Sequence, residues 1–255
     1  MKAKRWLIPI AGLFILLAIW SAVVHIFSLP TYLVPAPQLV LEEFLSAPYD
    51  FAGHAAWTLA EALAGFSIAL VVGLLGGCLL FRVKTLWSIA LPWASALQAI
   101  PIVAIAPLFV IWCGSGIVSK IAMSAIISFF PILTAVLNGF SEVDRNQQML
   151  FNVYKVNYLR TLRHLLLPSA IPTIVLGTKI SAGLATVGAI VAEMTGADKG
   201  LGYLLLNATY RLETPRLFVA IILSGIIGWS AYTLPGILRV IFPKYWESLR
   251  RGVTA

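Results

Sequence analysis

Six stretches of roughly twenty mostly apolar residues dominate this chain, and each is long enough to cross a hydrocarbon layer about 30 Å thick as a helix. They run from Leu7 to Phe27, Leu59 to Phe81, Trp87 to Trp112, Ile117 to Leu137, Ala170 to Val191 and Leu217 to Ile241. A water-soluble domain could not bury them all, because only 11% of the 255 residues are charged against 60% hydrophobic. That is too little polar surface to cover a globule. The sequence therefore predicts an all-α integral membrane protein with one transmembrane domain over residues 1–255. The first stretch is too long for a cleaved signal peptide and has no small-residue cleavage site before "FSLPTYLVPAP", so it is expected to stay as an anchor.

A formal net charge of +8 raises nucleic acid as a partner. The basic residues nevertheless lie between the apolar runs instead of on one aromatic-laced face, which argues for no nucleic acid. Membrane topology explains them better. With the amino terminus in the cytoplasm, all of the 18 Lys and Arg residues except Lys120, Lys199, Arg211 and Arg216 fall on or near the inner side. The long first outer loop then carries Glu42, Glu43 and Asp50 and no basic residue. The positive-inside bias thus predicts that both termini are cytoplasmic. Cys78 and Cys113 sit in separate apolar runs with no Cys/His cluster, and His25, His54 and His164 have no metal or catalytic spacing, so neither a disulfide framework nor a metal site is expected. No catalytic constellation can be assembled, and a GxxxxGK[ST] phosphate loop is missing.

The largest cytoplasmic loop, between the fourth and fifth spans, reads "SEVDRNQQMLFNVYKVNYLRTLRHLLL" from Ser141 to Leu167. Met149, Val153, Val156 and Leu159 recur at steps of three or four, which predicts short amphipathic helix. Glu142 and Asp144 at its start and Arg160, Arg163 and His164 near its end complement a helix dipole across the segment. A membrane-surface helix is the plainer reading of that pattern. Leu167-Pro168 and Ile171-Pro172 predict a sharper turn, since proline disfavours helical geometry in the residue before it.

Taken in order, several segments carry a resemblance. They are "YLVPAPQLVLEEFL", "TLAEALAGFSIALVVGLLGG", "ALQAIPIVAIAPLFVIWCGSGIVSKI", "FFPILTAVLNGFSEVD", "HLLLPSAIPTIVLGTKIS" and "AEMTGADKGLGYLL". Together with six spans and a Leu-Pro leaving the long loop, the chain resembles the permease subunits of bacterial binding-protein-dependent ABC importers, in the nitrate/sulfonate/taurine-type branch. The resemblance implies a type I importer permease fold in the bacterial cytoplasmic (inner) membrane. It implies two ATPase subunits that bind ATP and Mg, a second permease subunit in a homo- or heterodimer, and a soluble binding protein on the outer face. The chain itself would hold no cofactor and do no chemistry. The solute implied is a small anion such as a sulfonate, taurine, nitrate or bicarbonate, with a vitamin precursor or aromatic compound as the alternative within the same branch.

By the same resemblance the loop docks in a cleft of the ATPase. Met149, Phe151, Asn152, Val153, Tyr154, Lys155, Val156 and Asn157 would lie on or near the docking surface, with Leu167 and Pro168 marking the return into span five. The family's loop usually begins Glu-Ala-Ala and carries a glycine six residues after that Glu; this chain has Met149, Leu150, Phe151 and Lys155 there. In span two, Glu61 stands where the branch commonly has a basic residue. These departures point to a dedicated ATPase or an unequal pairing of permeases.

Intramembrane features name the candidates for a pathway. Pro92, Pro101 and Pro107 free backbone groups in span three, and such groups must face protein or a cavity. Ser95, Gln98 and Pro101, with Thr178, Ser181 and Thr186 of span five, are the candidate lining; close helix packing is the alternative for the hydroxyls and for the glycines around them. Glu193 is the candidate outer gate, or else a solvated interfacial carboxylate. Glu61 would face the channel or pair nearby, or else be simply hydrated near the outer end of its span, and snorkelling accounts for Lys120 and Lys179. The segments Ser28 to His54 and Thr195 to Arg216 would meet the binding protein, or else be plain solvated loops. A secondary transporter would show internal repeats and buried ion-coupling residues, and a channel a filter or charged ring; neither pattern is visible.

Overall fold

A computed structural model of the chain describes residues 4–83, 86, 89, 92, 96 and 99–237. Among these there are only helices and their connections. They are α1 (Lys4–Ile26), α2 (Pro37–Ser46), α3 (Pro48–Arg82), α4 (Ile102–Cys113), α5 (Ile117–Ser141), α6 (Arg145–Val153), α7 (Tyr158–Thr161), α8 (Leu167–Gly196), α9 (Leu201–Arg211) and α10 (Thr214–Thr233). A π turn, Leu162–Leu166, joins α7 to α8, so the chain stays helical from Tyr158 to Gly196. Four helical stretches are long and apolar enough to cross a membrane: Pro48–Arg82, Ile117–Ser141, Tyr158–Gly196 and Thr214–Gly236; Ala11–Ile26 and Ile102–Cys113 are shorter apolar helices. Part of the expected third span, including Ser95 and Gln98, and the end of the sixth fall outside the described residues.

Three helices make the centre. α5 packs along both α3 and α8, with α10 and α4 against α8. The reason lies in the small residues. The face of α3 that turns inward carries Thr58, Glu61, Ala62, Gly65, Ala69, Gly73 and Gly77, at helical steps of three or four. A Cβ at Gly77 would lie 2.6 Å from Val136 Cγ1, so α3 and α5 meet almost backbone to side chain. In lipid, where apolar side chains gain nothing by leaving one apolar phase for another, this close contact is what drives helices together. The "GLLGG" run is thus packing surface. Large apolar residues such as Val71, Leu75 and Leu79 point outward, as a lipid-facing side requires.

Two aromatic-rich cores close the bundle at its ends. At the end bearing α6, Ile132, Val136, Phe140, Val143, Leu165 and Leu166 are buried together, with the Phe81 ring edge-on to Phe140 at 5.1 Å. At the far end Val40, Phe51, Leu201, Leu204 and Val219 join α2, α3, α9 and α10. Arg216 fastens that end by pairing with Asp50 at 2.5 Å and Glu43 at 3.6 Å.

The two prolines after the loop do not end the helix. Pro168 occupies the first turn of α8, and Pro172 lies inside it. The expected sharp turn is replaced by the π turn. Its widened ring, closed by the Leu167 N–H on the Leu162 carbonyl, makes room where the Pro168 ring would otherwise press on the carbonyl four residues back.

Candidate functional site

The loop between α5 and α8 is two short helices instead of one. Asp144 caps the first, its Oδ1 accepting from the Asn146 N–H at 2.9 Å, an arrangement worth about 1 kcal/mol. The break falls at Tyr154 to Asn157, where Lys155 has φ +48°. That residue stands where the resembling family carries glycine, and its backbone takes up the left-handed geometry that glycine adopts freely. A single dipole across the segment is thereby excluded. Because a left-handed non-glycine residue costs about 1–2 kcal/mol, Lys155→Gly is expected to raise the thermal midpoint of the purified chain; an unchanged or lower midpoint would refute the strain.

Side chains on the loop divide by direction. Phe151 packs against the buried Phe140 cluster, as do Tyr158 and Leu162. The Tyr158 hydroxyl donates to the Cys78 carbonyl at 2.7 Å, and the Arg82 guanidinium lies 5.3 Å from the centre of its ring. Glu142 accepts from the Thr173 hydroxyl at 3.0 Å, tying the end of α5 to α8. Met149, Leu150, Val153, Tyr154 and Leu159 point outward instead, Tyr154 at 74% exposure. Asn152, Lys155 and Asn157 are exposed beside them and Val156 is half-buried. The result is an apolar and aromatic knob on a fixed base. Removing the base's cross-link by Tyr158→Phe is expected to cost about 1 kcal/mol, read as a lower unfolding temperature with the secondary structure unchanged.

The candidate pathway residues sit differently. Pro101 is exposed at the start of α4. Thr178, Ser181 and Thr186 are buried inside the chain. Ser181 donates to the Ser128 carbonyl across the α5–α8 contact at 2.7 Å, and Thr178 donates to the Val175 carbonyl of its own helix at 2.8 Å. Ser181 thus ties α8 to α5, the Thr186 hydroxyl has no hydrogen-bond partner, and a lining role for the three would require α5 and α8 to part. Lys179 does not snorkel freely: its ammonium lies 5.7 Å from the centre of the Tyr232 ring on α10.

At the far end Glu193 is only 1% exposed, as is Glu61, and Lys120 is 2% exposed. None of the three is solvated. Glu193 on α8, Glu61 on α3 and Lys120 on α5 converge with the amino end of α9. Three successive backbone N–H groups there meet side-chain acceptors: Gly200 donates to His54 Nδ1 at 2.9 Å, Leu201 to Thr58 Oγ1 at 2.8 Å and Gly202 to Glu193 Oε2 at 2.6 Å. Gly200 has φ +102°, and a Cβ there or at Gly202 would strike the Glu193 side chain. Lys120 donates to the carbonyls of Gly196, at 2.6 Å, and Ser115. In the sequence His54 has no metal or catalytic spacing, and the cluster is not anticipated there. The spacing of His54, Thr58 and Glu61, four and then three residues apart, was the signal that they share a helix face.

Apolar helices of membrane-crossing length, with an exposed knob at one end and buried charges at the other, define a multi-pass membrane permease in form. The chain belongs to the family of binding-protein-dependent transport system inner membrane components, whose model matches residues 65–245. A probable ABC transporter permease protein of Haemophilus influenzae is 34% identical over 89% of this chain and 93% of its own length. The riboflavin transport system permease protein RibX of Chloroflexus aurantiacus is 34% identical over 92% and 88%. The putative aliphatic sulfonates transport permease protein SsuC of Escherichia coli is 32% identical over 88% of each. Among solved structures, an amino acid ABC transporter matches the fold with a TM-score of 0.61 at 17% identity, covering 78% of this chain and 97% of the other.

Proposed function

We propose that this permease is one half of the membrane pathway of an ATP-driven importer, and that the knob at Met149 to Asn157 seats in a separate ATPase subunit. The observation that carries this reading is the pairing of exposed Met149, Leu150, Val153 and Tyr154 with an inward base of Phe151 and Tyr158. Apolar and aromatic anchors exposed on a rigid support suit a protein groove; a surface helix resting on lipid would not need the base. The loop end then faces the cytoplasm of a bacterial cell, across the inner membrane, and α9 faces a soluble binding protein outside. A second permease completes the pathway, and two ATPases with ATP and Mg drive it. The solute is a small molecule handed over by that binding protein. A sulfonate or similar small anion follows from the likeness to SsuC, and a vitamin or its precursor from the likeness to RibX.

Co-purification from detergent-solubilised membranes tests the assembly. An ATPase with a phosphate-binding loop and a second permease chain are expected to remain bound to the tagged protein. Recovery of the chain alone, conducting solute in liposomes without ATP, would overturn the reading. Screening the accompanying binding protein against sulfonates and flavin or pyrimidine compounds then separates the two solute classes.

A further inference from the structure

Glu61 and Glu193 present an electrostatic imbalance that the transport cycle as described does not use. Both are buried where α3 and α8 meet the amino end of α9, Glu61 one turn from the Thr58 that accepts the Leu201 N–H and Glu193 accepting the next N–H, from Gly202. Glu61 Oε2 and Glu193 Oε1 are fully buried with no hydrogen-bond partner. An ionised carboxylate only accepts, so two buried oxygens without a donor are both left unsatisfied, whereas one proton on the pair supplies a donor for the bare oxygen of the other. Charge gives the same count. Both side chains ionised would bury two negative charges against the single positive charge of Lys120, in a place where uncompensated charge is costly.

The other charged groups facing the cluster are engaged elsewhere or carry the wrong sign. Lys199, in the α8–α9 connection, places its ammonium 5.2 Å from the centre of the Trp57 ring. Arg216 on α10 is paired with Asp50 and Glu43. Asp198, which faces Lys120, adds negative charge. His54 on α3 accepts the Gly200 N–H on Nδ1, so its imidazole is neutral in this arrangement.

We propose that Glu61 and Glu193 bind one proton between them, and that this proton with Lys120 makes a neutral clasp fixing the amino end of α9 to α3, α5 and α8. Glu61 is the donor and Glu193 the carboxylate, because Glu193 Oε2 already accepts from the Gly202 N–H. The site takes a proton and not a metal cation, since Lys120 already supplies the positive charge and no group of three or more metal-ligating side chains exists among the described residues.

Infrared spectroscopy of the full-length chain, with the partners that co-purify, reads the proton directly. At neutral pH solvated carboxylates are ionised, so the C=O stretch of a protonated carboxylic acid reports a buried one. The wild type is expected to show this band, shifting on deuteration. Glu61→Gln and Glu193→Gln each leave one carboxylate opposite Lys120 and should lose the band. Lys120→Met removes the counter-charge, so the pair should take up a second proton and the band should roughly double. Absence of the band from the wild type, or its persistence unchanged in both glutamine variants, overturns the proposal. So does a thermal midpoint that rises with sodium at fixed pH in a wild type without the band, which would make the site a metal-cation site. Should a variant fail to accumulate, the wild-type spectrum decides alone.

Discussion

Gly188→Leu is expected to abolish accumulation of the folded chain. A Cβ at this position would lie 2.7 Å from Ile127 Cδ1, 2.9 Å from the Ser124 Cα and 3.3 Å from the Met123 carbonyl oxygen. The isoleucine can rotate away, but the α5 backbone can retreat only by separating from α8. Separation would also break the cross-helix bonds from Ser124 to the Ala185 carbonyl, 2.9 Å, and from Ser181 to the Ser128 carbonyl, 2.7 Å. Overpacking costs about 1–3 kcal/mol, and each interhelical hydrogen bond in a membrane adds about 0.6 kcal/mol. The total, about 2–4 kcal/mol, is a large part of a typical stability of about 5–15 kcal/mol. Size-exclusion chromatography in detergent should show aggregate in place of the folded peak, with Gly188→Ala milder. A leucine variant that elutes and melts like the wild type would show that α5 and α8 are not held by this contact.

Tyr154→Glu tests the other end of the molecule. Tyr154 supports no buried neighbour, so folding and insertion should be unaffected. Its place on the knob predicts a large functional loss: a central interface aromatic is worth about 2 kcal/mol, about thirtyfold in binding. ATP-driven uptake and retention of the ATPase should fall together by that order. Lys155→Glu should act in the same direction more weakly, from its position at the turn. Full uptake in both variants would move the docking surface away from this loop. Phe151→Ala makes the useful contrast, because it removes the inward base and should lower stability as well as coupling.

The helices were legible because their signal is local. An apolar run of membrane-crossing length needs no knowledge of the rest of the chain, and α3, α5, α8 and α10 each cover such a run. The loop's outward side was legible for the same reason, through Met149 and Val153 at helical spacing. Its inward base was not, since nothing near Phe151 or Tyr158 in sequence announces Phe140 or the Cys78 carbonyl. The prolines misled because the rule for the residue before proline describes an isolated peptide. It does not anticipate a π turn that relieves the clash inside a packed helix. Glu61, Lys120 and Glu193 each read as an end-of-span charge that water could reach. Only the fold, by bringing three distant helices to one point, turns three separate solvated charges into one dry cluster.

The π turn has a mechanical consequence. By keeping the chain helical past two prolines it makes Tyr158 to Gly196 a single rod of 39 residues, about 58 Å long at 1.5 Å per residue. A tilt of about one degree at the knob, carried along a rod of that length, displaces the Glu193 end by about 1 Å. That is enough to stretch a hydrogen bond beyond useful length. With the knob seated as proposed above, movement there would be carried along this rod to the catch at Glu193.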